Sequence, residues 1–461
     1  MIPERSLKEL KEFLGAENIL TRPEDLQPFG SDATKLTFMP DAVAFPRTAE
    51  DIARILSLAN QEEFPVIPRG AGSGKSGGAL PVRGGLVLTM DRFNRILRIE
   101  PDDLIARVET GVVTSRLQEE VEKLGLFYPP DPASIKVSTL GGNIAENAGG
   151  LRAVKYGVTR DYVLGLTAVL PTGEIIHTGV ETVKGVVGYD LTRLLVGSEG
   201  TLAVITEATL RLIPKPEITR TMMALFHSVA EAVRAVSRIL QSKIIPTALE
   251  LMDSLCIGCV RDQLPQSIST PCEALLLIEV DGDRSLTKKE MKRIRDVCLG
   301  CGAFQFLAPS RKREAEKLWE ARRNVSPSVY KLKPDKVSED IVVPRSRMAE
   351  LVLFLEELRR KYHLPIPAYG HAGDGNIHVN IMYDKSIPEE VDRLRKVIPE
   401  LFRRVVEMRG TLSGEHGIGL TKAPYLEMEL SKEVVELSVR LKKAFDPKGI
   451  LNPGKIFPQR T

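Results

Sequence analysis

Histidine and cysteine are both scarce in this chain. Six histidines serve 461 residues, none before His177, and the five cysteines all lie at or beyond Cys256. An odd cysteine count excludes complete pairing, so a secreted disulfide framework is not expected. Four of the five form Cys256/Cys259 and Cys298/Cys301. Both pairs fall in runs that read as helical, 247–261 and 287–300, rather than in the tight loops of metal knuckles. Buried thiols are therefore expected there, not an iron–sulfur or zinc cluster. Long apolar runs are missing, and none approaches the roughly 20 residues of a membrane span. The first residues are charged and lack the apolar stretch of a signal peptide. Together these features predict a cytoplasmic protein, membrane-associated only through a partner. Charge of one sign is missing as well: 64 basic and 61 acidic residues leave a net +3. That balance predicts no nucleic-acid partner.

A chain of 461 residues exceeds a single core and implies two or three domains. Residues 1–214 are rich in Gly and β-branched residues, with strand-like runs at 65–68, 85–89, 106–110, 166–170 and 201–206. Helical patterns intervene at 48–62, with Thr48 as N-cap, and at 114–124, with Gly125 as C-cap. Ile213-Pro214-Lys215-Pro216 reads as a linker. Residues 215–405 alternate charged helices with strands such as 274–280, which predicts helices on an antiparallel sheet. Residues 406–461 form a third segment. The fold class expected is α+β.

The densest glycine run is Arg69-Gly70-Ala71-Gly72-Ser73-Gly74-Lys75-Ser76-Gly77-Gly78. Glycines allow backbone amides to approach an anion closely. The spacing is not that of a P-loop, and the third glycine of the dinucleotide fingerprint is absent. A second such stretch, Gly141-Gly142-Asn143-Ile144-Ala145-Glu146-Asn147-Ala148-Gly149-Gly150, suggests that one long ligand with a pyrophosphate in its middle lies across both.

Three of the six histidines fall in two short motifs, Gly370-His371-Ala372-Gly373-Asp374-Gly375-Asn376-Ile377-His378-Val379-Asn380 and Ser413-Gly414-Glu415-His416-Gly417-Ile418-Gly419. Asp374-Gly375 is a strong two-residue hairpin signal. Folding there would set Ala372 opposite Ile377 and His371 opposite His378, close enough for two imidazoles to share a metal. Asn380 would share the His378 face. Glu415 could add an oxygen ligand. Zinc, manganese and ferrous iron all suit two histidines and a carboxylate.

In this order, and with Tyr128-Pro129-Pro130-Asp131-Pro132, Gly197-Ser198-Glu199-Gly200-Thr201 and Gly449-Ile450-Leu451-Asn452-Pro453-Gly454, these motifs resemble the FAD-linked oxidase family. The resemblance is to the vanillyl-alcohol-oxidase (PCMH-type) FAD domain, in the branch of D-lactate dehydrogenase and the glycolate oxidase flavoprotein subunit. It implies a PCMH-type FAD-binding domain, an α+β cap domain, and a C-terminal segment returning to the flavin. Arg69, Gly70, Ala71, Gly72, Ser73 and Gly74 would cradle the pyrophosphate. Pro130, Ser134, Thr139, Gly142, Asn143, Gly149 and Gly150 would meet the flavin and ribityl chain. Glu199, Gly200 and Ile205 would lie beside the adenosine half, and Asn452 near the isoalloxazine. Relatives that attach FAD covalently use a His or Cys of this domain; its first 176 residues hold neither. Non-covalent FAD is expected.

The chemistry implied is oxidation of a D-2-hydroxy acid, D-lactate or glycolate above others, by hydride transfer to flavin N5. His371, His378 and Glu415 would hold the metal, His416 would take the hydroxyl proton, and Asn380 would hold the substrate. Arg322 and Ser326 match the carboxylate-binding spacing of the D-2-hydroxyglutarate branch, with Lys336 as a candidate for a further basic residue. Electrons would pass to an iron–sulfur subunit, an electron-transfer flavoprotein or a quinone, and a homodimer is the oligomer considered. Four alternatives stand: the non-oxidative FAD chemistry of alkyl-dihydroxyacetone-phosphate synthases, a D-2-hydroxyglutarate dehydrogenase, a non-enzymatic metal-binding or electron-transfer subunit, and a metallohydrolase, which would leave both glycine loops unexplained.

Overall fold

The computed structural model describes residues 1–265, 268 and 271–458. They form two compact units. Unit one comprises Met1–Gly149, Val158–Lys215 and the chain from Glu415 onward; unit two comprises Gly150–Gly157 and Pro216–Gly414.

Unit one is built on two sheets. In the first, β1 (Ile19–Leu20), β2 (Ala42–Ala44), β3 (Val66–Arg69) and β4 (Leu86–Thr89) stand in the order β1-β2-β4-β3, with β2, β4 and β3 parallel. Helix Ala49–Glu62 starts where Thr48 predicts. The Thr48 hydroxyl accepts the Asp51 N–H at 3.1 Å, and the Asp51 carboxylate accepts the Thr48 N–H at 3.1 Å. This capping box turns Ile52, Ile55, Leu56 and Ala59 onto Ala42, Ala44, Val66, Leu86 and Leu88. Burying each large aliphatic contributes about 1.5–3 kcal/mol. The second sheet runs β5-β6-β10-β8-β9, all antiparallel, from β5 (Ile96–Glu100), β6 (Ile105–Glu109), β8 (Val163–Val169), β9 (Ile175–Gly179) and β10 (Val204–Arg211). A ribbon of β7 (Leu126–Phe127) and β11 (Ile213–Pro214) uses part of the expected linker.

Two boundaries differ from the sequence reading. The helix expected over 114–124 ends at Glu122, and Gly125 makes a positive-φ turn beyond it (φ 72°). The 406–461 segment is not a separate body. Its first residues stay in unit two through Gly414, and the remainder joins unit one. There Leu451 bridges Val66 in parallel, Val66 N donates to Ile450 O, and Asn452 N donates to Val66 O at 2.8 Å.

Unit two holds one seven-stranded antiparallel sheet, β15-β12-β14-β13-β17-β18-β16. Its strands are β12 (Ile218–Phe226), β13 (Ala248–Asp253), β14 (Ala274–Gly282), β15 (Ala303–Leu307), β16 (Asp335–Val342), β17 (Ala368–His371) and β18 (Asn376–Tyr383). One face carries Met223, Leu225, Met252, Leu275, Leu277, Tyr369 and Met382. They pack with Cys256, Leu318, Trp319, Val325 and Val329 from the helices on that side. By strand alternation Leu276 and Ile278 point to the other face. The helical run expected over 247–261 is instead β13 followed by a short helix, Ser254–Cys259, capped where Asp253 accepts the Cys256 N–H at 2.9 Å. Cys256, Cys259, Cys272 and Cys298 are buried. Burial holds the Cys256 thiol well above its ordinary pKa, so it is a protonated core residue. Among the described residues no helix is long and apolar enough to cross a membrane.

Candidate functional site

A polar patch interrupts the apolar face of unit two. Cross-strand register sets Glu250 of β13 beside His371 of β17, His371 beside Asn376 of β18, His378 opposite Asp340 of β16, and Asn380 opposite Ser338. All seven side chains belong to one face, because paired residues share a face and positions two apart return to it. The His371 and His378 rings meet edge to face with centroids 5.2 Å apart. His371 Nδ1 lies 2.7 Å from Glu250 Oε1, and His378 Nδ1 lies 3.5 Å from Asp340 Oδ1.

The turn between these histidines is longer than expected. His371 pairs with Asn376 rather than His378, whose partner is Tyr369, and Gly370 rather than Ala372 faces Ile377. Residues 372–375 loop out because their backbone has partners beyond the hairpin. Gly373 N donates to Leu249 O at 3.1 Å, and Gly375 O accepts Val343 N at 3.1 Å. Gly375 sits at φ 91°, and a Cβ there would stand 2.2 Å from Val343 O, so the position requires glycine. A shift of two residues keeps the face, so the two rings still meet, now as diagonal neighbours.

Arg322, at the end of helix Lys312–Arg323, lies with its guanidinium 4.5 Å from the Tyr369 ring centroid. Its Nε and Nη2 both donate to Glu250 Oε2, the former at 2.8 Å. Burial pushes the Glu250 carboxyl up, but His371 and Arg322 outweigh it, and its pKa ends below the ordinary value. Ser326 is bound to Lys336, whose Nζ donates to its carbonyl at 2.9 Å and its hydroxyl at 3.0 Å. The Asn380 Nδ2 donates to Pro367 O and His378 O, while its Oδ1 is buried with no hydrogen-bond partner among the described residues. Sequence reasoning missed Glu250 and Asp340. Glu250 stands between Leu249 and Leu251 in strand Ala248–Asp253, and Asp340 follows Glu339 in strand Asp335–Val342; charge is seldom buried in a strand unless it is paired.

Unit one brings the two glycine loops together. A Cβ on Gly70 would lie 2.4 Å from Thr139 Oγ1, so the first loop touches the N-cap of helix Leu140–Glu146. Thr139 accepts the Gly142 N–H at 3.3 Å, and Asn143 Nδ2 donates to Thr114 Oγ1 at 2.6 Å. Beside Gly74 and Gly142 there is room: the nearest atoms to a Cβ are Glu146 Oε1 at 3.8 Å and Thr139 Oγ1 at 3.4 Å. Ala71, Gly72 and Ser73 continue the first loop; Gly72 has φ 66° and packs on Arg69, whose Nη2 donates to Ser31 O at 2.7 Å. The Arg69 side chain thus braces the loop from behind. Pro130 O accepts Gln118 Nε2 at 2.9 Å, and Ser134 O accepts the Val137 and Ser138 amides, each at 2.8 Å. Gly150, the first residue of the Gly150–Gly157 stretch of unit two, has a positive φ of 144°, Gly200 has φ 64°, and Ile205 is buried in β10.

The Glu415–His416 motif lies in unit one beside the second loop. A Cβ on Gly149 would meet Glu415 Oε2 at 3.1 Å, and His416 Nε2 lies 4.0 Å from Glu415 Oε1. The following turn is clamped by Glu199, which accepts Ile418 N at 2.8 Å and Gly419 N at 2.7 Å. Burial raises the Glu199 pKa to about 7 against those two amides. Glu146 is raised too, by burial and then by Glu199, and its Oε2 has no hydrogen-bond partner among the described residues. Asn452 Nδ2 ties Gly78 O to Glu199 O, and Lys455 Nζ reaches Leu80 O at 2.6 Å.

Residues 215–456 match the family described as FAD linked oxidases, C-terminal domain, and residues 40–179 match a FAD binding domain. The glycolate oxidase subunit GlcD of Bacillus subtilis is 44% identical over 458 residues, covering 99% of this chain and 97% of that protein. A D-lactate dehydrogenase of Archaeoglobus fulgidus is 37% identical over 417 residues, covering 90% of each. Among solved structures, p-cresol methylhydroxylase with substrate bound shares the fold with a TM-score of 0.81 at 18% identity, covering 98% of this chain and 96% of that one. Alkyldihydroxyacetonephosphate synthase shares it with a TM-score of 0.75 at 20% identity, covering 98% and 85%.

Proposed function

The chain belongs to the FAD-linked oxidases, and from that premise we propose that it oxidises a small D-2-hydroxy acid, D-lactate or glycolate, to the 2-oxo acid. The observation that carries the reading is the His371/His378 pair, ring centroids 5.2 Å apart on one sheet face, with Asn380 Oδ1 buried on the same face and without a hydrogen-bond partner among the described residues. Two imidazoles meeting on one face suit a first-row divalent ion, and buried carboxylates hold or orient such a set.

FAD suits unit one. Two glycine loops touch at Gly70 and Thr139, and beside Gly74 and Gly142 a Cβ would meet nothing closer than 3.4 Å. Bound FAD supplies the hydride acceptor, and a divalent ion supplies Lewis acidity at the substrate hydroxyl. The residues do the rest. In this reading His371, His378 and Glu415 would hold the ion. His416 takes the hydroxyl proton, its imidazole suited to that near neutral pH. Asn380 Oδ1 accepts from the substrate, and the Arg322, Ser326 and Lys336 group meets the carboxylate. Electrons leave to an external acceptor, in our reading an iron–sulfur subunit, an electron-transfer flavoprotein or a quinone.

Lys336 bound to Ser326 favours one second reading, in which a longer dicarboxylic acid such as D-2-hydroxyglutarate is the substrate. Anaerobic addition of D-lactate, glycolate, L-lactate and D-2-hydroxyglutarate to the FAD-loaded protein separates the readings. Bleaching of the flavin by a small D-acid is expected. A flavin that stays oxidised with every acid would favour non-oxidative chemistry.

A further inference from the structure

One buried carboxylate touches two of the groups assigned to substrate and metal. Glu250 is fully buried at the centre of the sheet face. Its Oε1 lies 2.7 Å from His371 Nδ1, and its Oε2 takes both Nε and Nη2 of Arg322. The oxygens are divided between the neighbours, one to the imidazole and one to the guanidinium fork.

We propose that Glu250 is a positioning residue that fixes the ligand nitrogen of His371 and the pose of Arg322 together. The argument starts from Arg322. A guanidinium cannot be deprotonated in a protein, so the fully buried group facing it is a carboxylate, which can only accept hydrogen bonds. His371 Nδ1 must then carry a proton. In the neutral imidazole Nε2 then carries the lone pair and is the nitrogen that would meet a metal. Arg322 is held from two sides, by Oε2 and by the Tyr369 ring 4.5 Å below its guanidinium. Its charge is largely balanced by Glu250 before any substrate arrives. Specificity for the substrate carboxylate therefore falls to Lys336 and the Ser326 hydroxyl rather than to Arg322 alone. A glutamine at position 250 has one acceptor oxygen and cannot serve both neighbours, which makes the substitution diagnostic.

This inference rests on the metal reading above, and the test keeps the two separable. The full-length, FAD-loaded protein and its Glu250→Gln variant are titrated with zinc against a chromophoric chelator, with melting temperature and flavin content as folding controls. In parallel, nitrogen NMR of the metal-free wild-type protein reads the His371 tautomer. The expected results are a wild-type His371 protonated at Nδ1 and a zinc affinity about 10–100-fold weaker in Glu250→Gln. Steady-state kinetics should show kcat falling together with the weaker metal occupancy. Equal zinc affinity in both proteins would overturn the inference while leaving the metal reading intact. A wild-type His371 protonated at Nε2 alone would overturn it without any variant, even if Glu250→Gln fails to fold. A wild-type protein that binds neither zinc nor manganese would sink the metal reading, with the tautomer still deciding whether Glu250 sets His371.

Discussion

Glu199 Oε1 accepts the backbone N–H of Ile418 at 2.8 Å, and its Oε2 accepts Gly419 N at 2.7 Å. A turn from the Gly197–Thr201 stretch thereby sets the backbone two and three residues beyond His416. The carboxyl is raised to about 7, and Glu146 is raised beside it. A carboxyl whose folded pKa exceeds its unfolded value adds stability that is complete below the unfolded pKa and is lost as pH rises through the folded one. Thermal stability of the wild-type protein should therefore decline from about pH 4.5 to pH 7, and Glu199→Gln should flatten that decline. Melting temperatures across this range check it.

Arg322 and Glu250 form a buried ion pair, so removing Arg322 leaves the Glu250 charge with only the His371 ring to face. Arg322→Met should destabilise by about 3–5 kcal/mol. The double variant Arg322→Met/Glu250→Leu should cost less than the sum of its single changes, since it removes both charges together. Denaturant unfolding of the four proteins measures the coupling. Additivity would mean the pair is energetically silent.

A methyl group at position 70 has no room, with Thr139 Oγ1 at 2.4 Å. Gly70→Ala should therefore push the two glycine loops apart and release FAD, with little change in unit two. Adding Thr139→Ala should recover part of the flavin content, although the helix loses a cap contributing about 1 kcal/mol. Flavin absorbance per protein after desalting reads both effects.

Lys336 reaches Ser326 from the strand that also carries Ser338 and Asp340. Lys336→Met should raise KM for the acid substrate about tenfold or more while changing kcat less. A charged hydrogen bond to a carboxylate contributes roughly 1.5–3 kcal/mol, which is the scale of that loss. If D-2-hydroxyglutarate were the substrate, its KM should suffer more than that of D-lactate. Initial rates with both acids decide it.

Local chemistry made several of these features legible in the sequence. Thr48 and Asp51 mark a helix start by themselves, and the glycine runs around Gly72 and Gly142 announce backbone that must approach something closely. The hairpin at Asp374-Gly375 was legible as a turn, but its register was not, because Leu249 and Val343 compete for the loop's backbone groups from elsewhere in the sheet. Glu250 and Asp340 were invisible for the same reason. An acid in a strand says only that some partner exists, and for Glu250 the partners Arg322 and His371 lie 72 and 121 residues further along the chain. The return of Leu451 and Asn452 to Val66 likewise depends on a sheet edge that no local pattern describes.

The most direct test of metal-assisted hydroxy-acid oxidation is the single-turnover rate of flavin reduction by D-lactate or glycolate. It should be followed anaerobically in the FAD-loaded protein before chelation, after chelation, and after zinc or manganese is restored. Reduction that falls by at least about 100-fold on chelation and returns with the metal, while flavin content stays constant, is the expected result. Reduction at the same rate in the chelated protein would contradict the account.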